Sequence, residues 1–373
     1  MTATVKGIVD PAKAVGSSLF GGAFSFPVMV ARRSALEHNI ATLADFAARH
    51  GMLLAPHAKT TMSPELVRAQ LDAGAWGMTA ATPSQVLILR EFGVSRIILA
   101  NQFFDPAGLD AVAAWLEEDP AAEFLCFVDS VAGVETLSAH AGARPFRVLA
   151  EVGVAGARCG SRTLDELLEV AGAAQAAEGV ELAGVAGYEG VLGTAEEVRA
   201  YLGRMLEALA HLRVRDPILS VGGSQWFDVI GRELAACQAR IVLRSGAYIT
   251  HDDGHYRERT PYNRIEGELQ AALEVWAHVL STPEPGLAVV GLGKRDAPFD
   301  EGFPVPRGVL TGSEVIRMQD QHAVVRLAPG SRATPGELVP FGISHPCTAF
   351  DKWRVIPVVD DDYRVVDLVT TFF

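Results

Sequence analysis

The sequence predicts a (β/α)8, TIM-type barrel followed by an all-β domain. Short apolar runs alternate with amphipathic stretches through the first two thirds of the chain, and eight such runs can be counted. After roughly residue 255 the alternation stops, and short strand-like runs broken by Gly and Pro take over. The barrel is therefore placed at residues 26–255, and the β domain at 256–373 with residues 1–25 added to it. With 373 residues, about half of them apolar and 21% charged, the chain can supply the large core this architecture needs.

Before the barrel strands, an apolar run at 28–31 leads into a helix whose buried side is marked by Leu36, Ile40, Leu43 and Phe46. Ser34-Ala35-Leu36-Glu37 has the form of a capping box for it. This helix is expected to cover the gap left after the eighth barrel strand. The eight runs follow at 52–54, 76–80, 96–100, 124–128, 148–152, 182–186, 218–221 and 240–243. Rich in Val, Ile, Leu and Ala and bounded by turns, they read as strands buried on both faces. Ser63-Pro64 and Thr82-Pro83 are helix starts, stopped by Gly74 and Gly93. Thr163, Thr194 and Ser224 open later helices. In the β domain, strands are expected at 287–291, 314–318, 323–327, 355–359 and 363–370, with an extra strand from the first 25 residues.

Composition excludes several function classes. A net charge of −13 argues against a nucleic-acid binder, whose phosphate contacts need a basic face. No run approaches the ~18 uninterrupted apolar residues of a membrane span, and the N-terminus lacks a secretory pattern. Cys126, Cys159, Cys237 and Cys347 lie far apart with no CxxC pair, as expected of reduced thiols in a cytoplasmic protein.

In a barrel the chemistry belongs where strands end and the following loops begin. The first strand ends in Pro56-His57-Ala58-Lys59-Thr60-Thr61, and a desolvated lysine at a barrel mouth is suited to forming a Schiff base. The seventh ends in Gly222-Gly223-Ser224, where backbone amides at a helix start could cradle a phosphate. Arg158, in Ala157-Arg158-Cys159-Gly160, can steady a phenolate or carboxylate. Tyr188 in Gly187-Tyr188-Glu189-Gly190 and Tyr248 in Arg244-Ser245-Gly246-Ala247-Tyr248 can contact a ring. Each feature has a bland reading: a solvated lysine, an ordinary turn, a loop ion pair. Together they are what pyridoxal 5'-phosphate (PLP) requires of a protein.

These segments, with Ser63-Pro64-Glu65, Ala73-Gly74-Ala75-Trp76-Gly77-Met78-Thr79, Ala100-Asn101-Gln102 and Ser344-His345-Pro346-Cys347-Thr348, resemble the fold-type III PLP enzymes over nearly the whole chain. Within them the chain is most similar to the D-serine dehydratase and D-threonine aldolase group. The resemblance implies a barrel with a C-terminal β domain, a homodimer, a D-amino acid substrate and Lys59 as the cofactor lysine; His57 beside it is a candidate base for a retro-aldol reaction or a buttress to the ring. One departure is visible: Ala55 stands where an arginine often precedes the proline of the lysine motif.

His345 and Cys347 discriminate further. In an extended segment, residues two apart share a face, so imidazole and thiolate can converge on one ion. A nitrogen and a sulfur donor suit Zn²⁺, with Mn²⁺ or Mg²⁺ as alternatives if oxygen ligands join. The bland reading is a buried cysteine beside a capping histidine. By resemblance, His-x-Cys is similar to the metal site of the dehydratases, which lose water from a β-hydroxy D-amino acid to give a 2-oxo acid and ammonia. The aldolases, which release glycine and an aldehyde, are the alternative. A non-catalytic PLP-binding protein is disfavoured by the added β domain, and a racemase by the want of a second base. A metal-dependent hydrolase would rest on His251-Asp252-Asp253-Gly254-His255.

Overall fold

A computed structural model describes residues 4–373. The chain falls into two compact units. One holds the chain up to Thr42 together with Thr60–Leu66 and Ala247–Phe373; the other holds Leu43–Lys59 and Val67–Gly246. Strand β1 (Val28–Arg32) runs straight into the helix Arg33–Arg49. Eight short strands follow: β2 (Leu53–Leu54), β3 (Met78–Ala80), β4 (Arg96–Leu99), β5 (Glu123–Val128), β6 (Phe146–Val152), β7 (Val180–Gly187), β8 (Ile218–Val221) and β9 (Arg240–Leu243).

Strands β2 to β9 form one parallel sheet in the order β2-β9-β8-β7-β6-β5-β4-β3. Across the remaining seam, Trp76 N–H donates to Leu54 O at 2.7 Å and Thr79 N–H to Pro56 O at 2.8 Å, so the ring is nearly closed. Ala55, Ile98, Leu125, Phe127, Leu149, Ala183, Ala186, Ile218 and Val242 fill its interior. Drawn from six of the eight strands and from the residue after β2, these side chains pack a core. Helices separate most of the strands. Thr163 and Thr194 each close a full capping box, with Glu166 and Glu197 respectively. The expected barrel fold is observed, while residues 26–42 and 247–255, placed in it from sequence, fall in the other compact unit.

Two helix starts differ from expectation. Ser34 lies inside the helix Arg33–Arg49, because the chain turns helical directly out of β1, and its hydroxyl donates to Asp361 at 2.8 Å. Ser224 does not open a helix either: the helix Phe227–Glu233 starts three residues later, behind Trp226, with no side-chain cap. The last barrel strand has no helix of its own, only the one-turn Ala247–Ile249. On the early helix, Phe46 packs edge-on against Phe227, ring centroids 4.8 Å apart.

The other unit is built on a nine-stranded sheet. After the barrel come β10 (Leu273–Glu284), β11 (Leu287–Val290), β12 (Val305–Pro306), β13 (Glu314–Met318), β14 (Ala323–Arg326), β15 (Leu338–Gly342), β16 (Val355–Val359) and β17 (Val365–Thr370). The main path runs β13-β14-β11-β10-β1-β16-β17, with β15 pairing β10 and β12. Among described residues, the stretch before β1 forms no strand. It is a looped arm with one short helix (Pro11–Ala14), and it buries Ile8, Leu19 and Phe24 against Val355, Val359 and Val365. Strands β10, β12 and β15 were not anticipated, since polar residues and prolines interrupt their apolar pattern. No helix of the described residues is long and apolar enough to cross a membrane.

Two expected outcomes follow from backbone strain and burial. Gly184 takes φ +145° beside the irregularity in β6–β7 pairing, and a Cβ there would sit 2.0 Å from Ile218 O. Gly184→Ala should cost about 2–3 kcal/mol in a denaturant titration. His251, buried at φ +43°, is held down to about 4 by burial and then by Arg257. The unfolded chain binds this proton near 6.5 and the folded chain not until about 4. The stability contributed is therefore complete above pH 6.5 and lost as pH falls toward 4. Relative to His251→Asn, which tolerates the left-handed backbone, wild type should lose up to about 3 kcal/mol across that window.

Candidate active site

The C-terminal ends of β2 to β9 surround a cavity of about 140 Å³. Its lining comes from the loop or last residue of nearly every strand: His57 and Lys59 after β2, Gln102 after β4, Glu151 in β6, Arg158 beyond it, Tyr188 after β7, Gly222 and Gly223 after β8, and Arg244 after β9. Five strand ends nominated from sequence thus meet in one place. Of the nominated cofactor contacts, Lys59, Arg158, Tyr188, Gly222 and Gly223 line this cavity and Ser224 does not. Tyr248 is buried in the turn Ala247–Ile249 of the other unit.

Lys59 sits on a single turn of 3-10 helix, Ala58–Thr60, directly after the strand. His57 lies beside it. Burial, then the charges of Lys59 and Arg244, hold His57 well below its ordinary value, so its imidazole is neutral at neutral pH. Its Nδ1 is buried with no hydrogen-bond partner among described residues. The Arg158 guanidinium lies over the Tyr188 ring at 4.5 Å. Burial, with Glu151 and Asp129 nearby, pushes the Cys159 thiol up.

Four polar side chains that sequence reasoning did not single out organise the floor. Arg244 is 5% exposed and donates to Ser220 Oγ at 2.7 Å and Gly187 O at 2.6 Å. Glu189, fully buried, accepts the amides of Gly222 at 3.1 Å and Gly223 at 2.7 Å. Burial raises Glu151, against the hydrogen bond donated by Gln102 at 2.6 Å. The glycine amides expected to cradle a phosphate thus hold a carboxylate already. The available signal was a charged residue inside or just after an apolar strand. An amine, an orphaned imidazole nitrogen and a cation stacked on a phenol ring around one cavity fit a pyridine cofactor with anionic substituents.

The nominated metal pair belongs to the other unit. His345 is extended, but Cys347 lies in the one-turn helix Pro346–Thr348, so a turn and not a strand pleat brings them together. Burial alone would lower His345, yet the adjoining Cys347 and then Asp300 raise it to about 9. Asp300 Oδ2 is 2.9 Å from His345 Nδ1. The hydroxyls of Tyr256 and Thr60 stand 3.9 and 4.0 Å from Cys347 Sγ. The His255 ring is 5.1 Å from that of His345, and His255 Nδ1 is 3.4 Å from Glu301. Burial pushes the Asp252 carboxyl up to about 6. Among described residues no three or more His, Cys, Asp or Glu form a ready metal cage. A nitrogen and a sulfur donor at hydrogen-bonding range still fit a thiophilic divalent ion that takes its other ligands from water or substrate.

A family model described as alanine racemase, N-terminal domain, matches residues 32–235, more than half of the chain. The chain belongs to this family. A second model, putative serine dehydratase domain, matches residues 272–359, so the alanine racemase-like barrel here is joined to that type of β domain. The resemblance to fold-type III enzymes is borne out. The chain is 29% identical to a D-threonine aldolase of Arthrobacter sp over 90% of its length and 89% of the relative's. It is 26% identical to a 3-hydroxy-D-aspartate aldolase of Paracoccus denitrificans (strain Pd 1222), over 80% and 79%. Among solved structures, D-threonine aldolase from Filomicrobium marinum superposes with a TM-score of 0.84 at 24% identity, covering 96% of this chain and 97% of that one. A D-threo-3-hydroxyaspartate dehydratase carrying alanine for a cysteine, in a metal-free form, gives 0.75 at 21%, covering 93% and 97%. At these identities the two structures carry the fold.

Proposed function

We propose that the chain is a PLP- and metal-dependent lyase that removes water from β-hydroxy D-amino acids, giving a 2-oxo acid and ammonia. The observation that carries this reading is the His345–Cys347 donor pair in a chain whose barrel mouth presents Lys59. When bound, PLP supplies an electron sink for a carbanion at Cα, and a divalent ion, best Zn²⁺, supplies Lewis acidity toward an oxygen on Cβ. Lys59 Nζ would hold the cofactor and, once the substrate amine displaces it, its freed amine would take the Cα proton. Arg158, over Tyr188, offers its cation to a phenolate or carboxylate at the mouth, and Tyr188 walls the ring. His345 and Cys347 hold the ion, with Asp300 orienting the imidazole through its 2.9 Å contact.

A second reading is supported by the aldolase names of the two curated relatives and by His57. A neutral buried imidazole with an open Nδ1 can accept the β-hydroxyl proton; breaking the Cα–Cβ bond then releases an aldehyde, and a proton delivered to Cα completes glycine. D-threonine separates the readings. Release of 2-oxobutanoate identifies a dehydratase, and acetaldehyde with glycine an aldolase.

Purified protein incubated with PLP should show a visible absorption band that Lys59→Ala lacks. His345→Ala and Cys347→Ala should keep the band and lose turnover by about a hundredfold or more. Chelator should do the same to wild type, with recovery on adding Zn²⁺. Full turnover in a metal-stripped sample would overturn the scheme.

A further inference from the structure

Between β6 and the helix Leu164–Ala176 the chain makes a closed loop that carries Arg158 into the cavity lining. Its neck is tight. Gly153 N–H donates to Ser161 O at 2.9 Å, and Ser161 N–H to Glu151 O at 2.8 Å. A Cβ on Gly153 would lie 2.5 Å from Gly160 O and 1.9 Å from Arg162 Nη1. Within the loop, main-chain bonding is sparse: Ala157 N–H reaches Val154 O at 3.0 Å, and Gly160 N–H goes to the Asp129 carboxylate at 2.8 Å.

Four successive carbonyls, of residues 157 to 160, turn toward one point, and the Arg162 guanidinium stands there. Its Nη1 donates to Cys159 O at 3.0 Å and Gly160 O at 2.5 Å; its Nη2 donates to Ala157 O at 3.4 Å and to Arg158 O. Converging carbonyl dipoles repel one another unless a cation lies between them, and only a planar fork of donors can serve four at once. A lysine in its place would present a single point charge. Outside the loop, Arg204 Nη2 donates to Gly153 O at 3.0 Å and braces the neck.

We propose that Arg162 is a positioning residue for the cofactor site: it clamps the loop whose other arginine, Arg158, stands over Tyr188 at the barrel mouth. The inference rests on the reading that Arg158 meets the bound cofactor. Arg162 itself is spent on main-chain carbonyls and does not line the cavity.

Two measurements test it. Limited trypsin digestion of the cofactor-free protein reads the clamp alone. Arg162→Gln and Arg162→Lys should both be cut after Arg158 faster than wild type, at unchanged thermal midpoint. Equal cutting rates would overturn the clamp. The milder lysine variant keeps this arm usable if the glutamine variant folds poorly. Titration of cofactor-free protein with PLP, followed by absorbance, reads the consequence. Arg158→Gln and Arg162→Gln should each raise the dissociation constant about tenfold, and the double variant should match Arg158→Gln alone. Multiplying effects would overturn action through Arg158. If Arg158→Gln binds PLP like wild type while trypsin still shows the clamp, it is the assignment of Arg158 to the cofactor that fails, and the link to the site falls with it.

Discussion

A guanidinium buried at the floor of the barrel mouth constrains everything above it. Arg244 cannot lose its charge and is nearly sealed from water, so the fold must surround it with acceptors and counter-charge. It does so from several strand ends at once: Ser220 Oγ and Gly187 O accept its protons, and Glu189 and Glu151 stand close enough to be its largest favourable charge interactions. Those carboxylates need partners in turn. Glu189 takes the amides of Gly222 and Gly223, and Glu151 takes Gln102. One buried cation thereby ties together the ends of β4, β6, β7, β8 and β9, the segments that shape the cavity.

The barrel was legible because a parallel sheet covered on both faces needs continuous apolar strands, and capped helices between them announce their own starts. Thr163 and Thr194 sit where their capping boxes put them. Ser34 and Ser224 misled for a local reason: a serine before a helical pattern is an N-cap only if the backbone is still extended there. β1 turns helical one residue earlier than Ser34, and after Gly222-Gly223 the chain makes a further turn before its helix begins. The long β10 escaped notice because Ser281, Thr282, Pro283 and Glu284 dilute its apolar pattern.

The site was legible to the extent that barrel topology names the places to look. Lys59, Arg158, Tyr188, Gly222 and Gly223 converge because each lies just past a parallel strand. What could not be read was the division of labour among polar groups. That two glycine amides serve a carboxylate depends on how Glu189 folds back, a tertiary fact with no local signature. His345 and Cys347 illustrate the reverse: the strand pleat expected between them is absent, and Pro346 opens a turn that carries Cys347 instead.

The position of β1 has a consequence for synthesis. This strand lies inside its sheet, antiparallel to β10 and parallel to β16, and both partners emerge from the ribosome only after the entire barrel has been made. At translation speeds of about 5–20 residues per second, its apolar edge waits on the order of tens of seconds for them. During that interval Val28, Met29 and Val30, buried in the finished molecule, are an unpaired hydrophobic strand on a nascent chain. The length of that exposure is set by the order of the sequence and is independent of final stability.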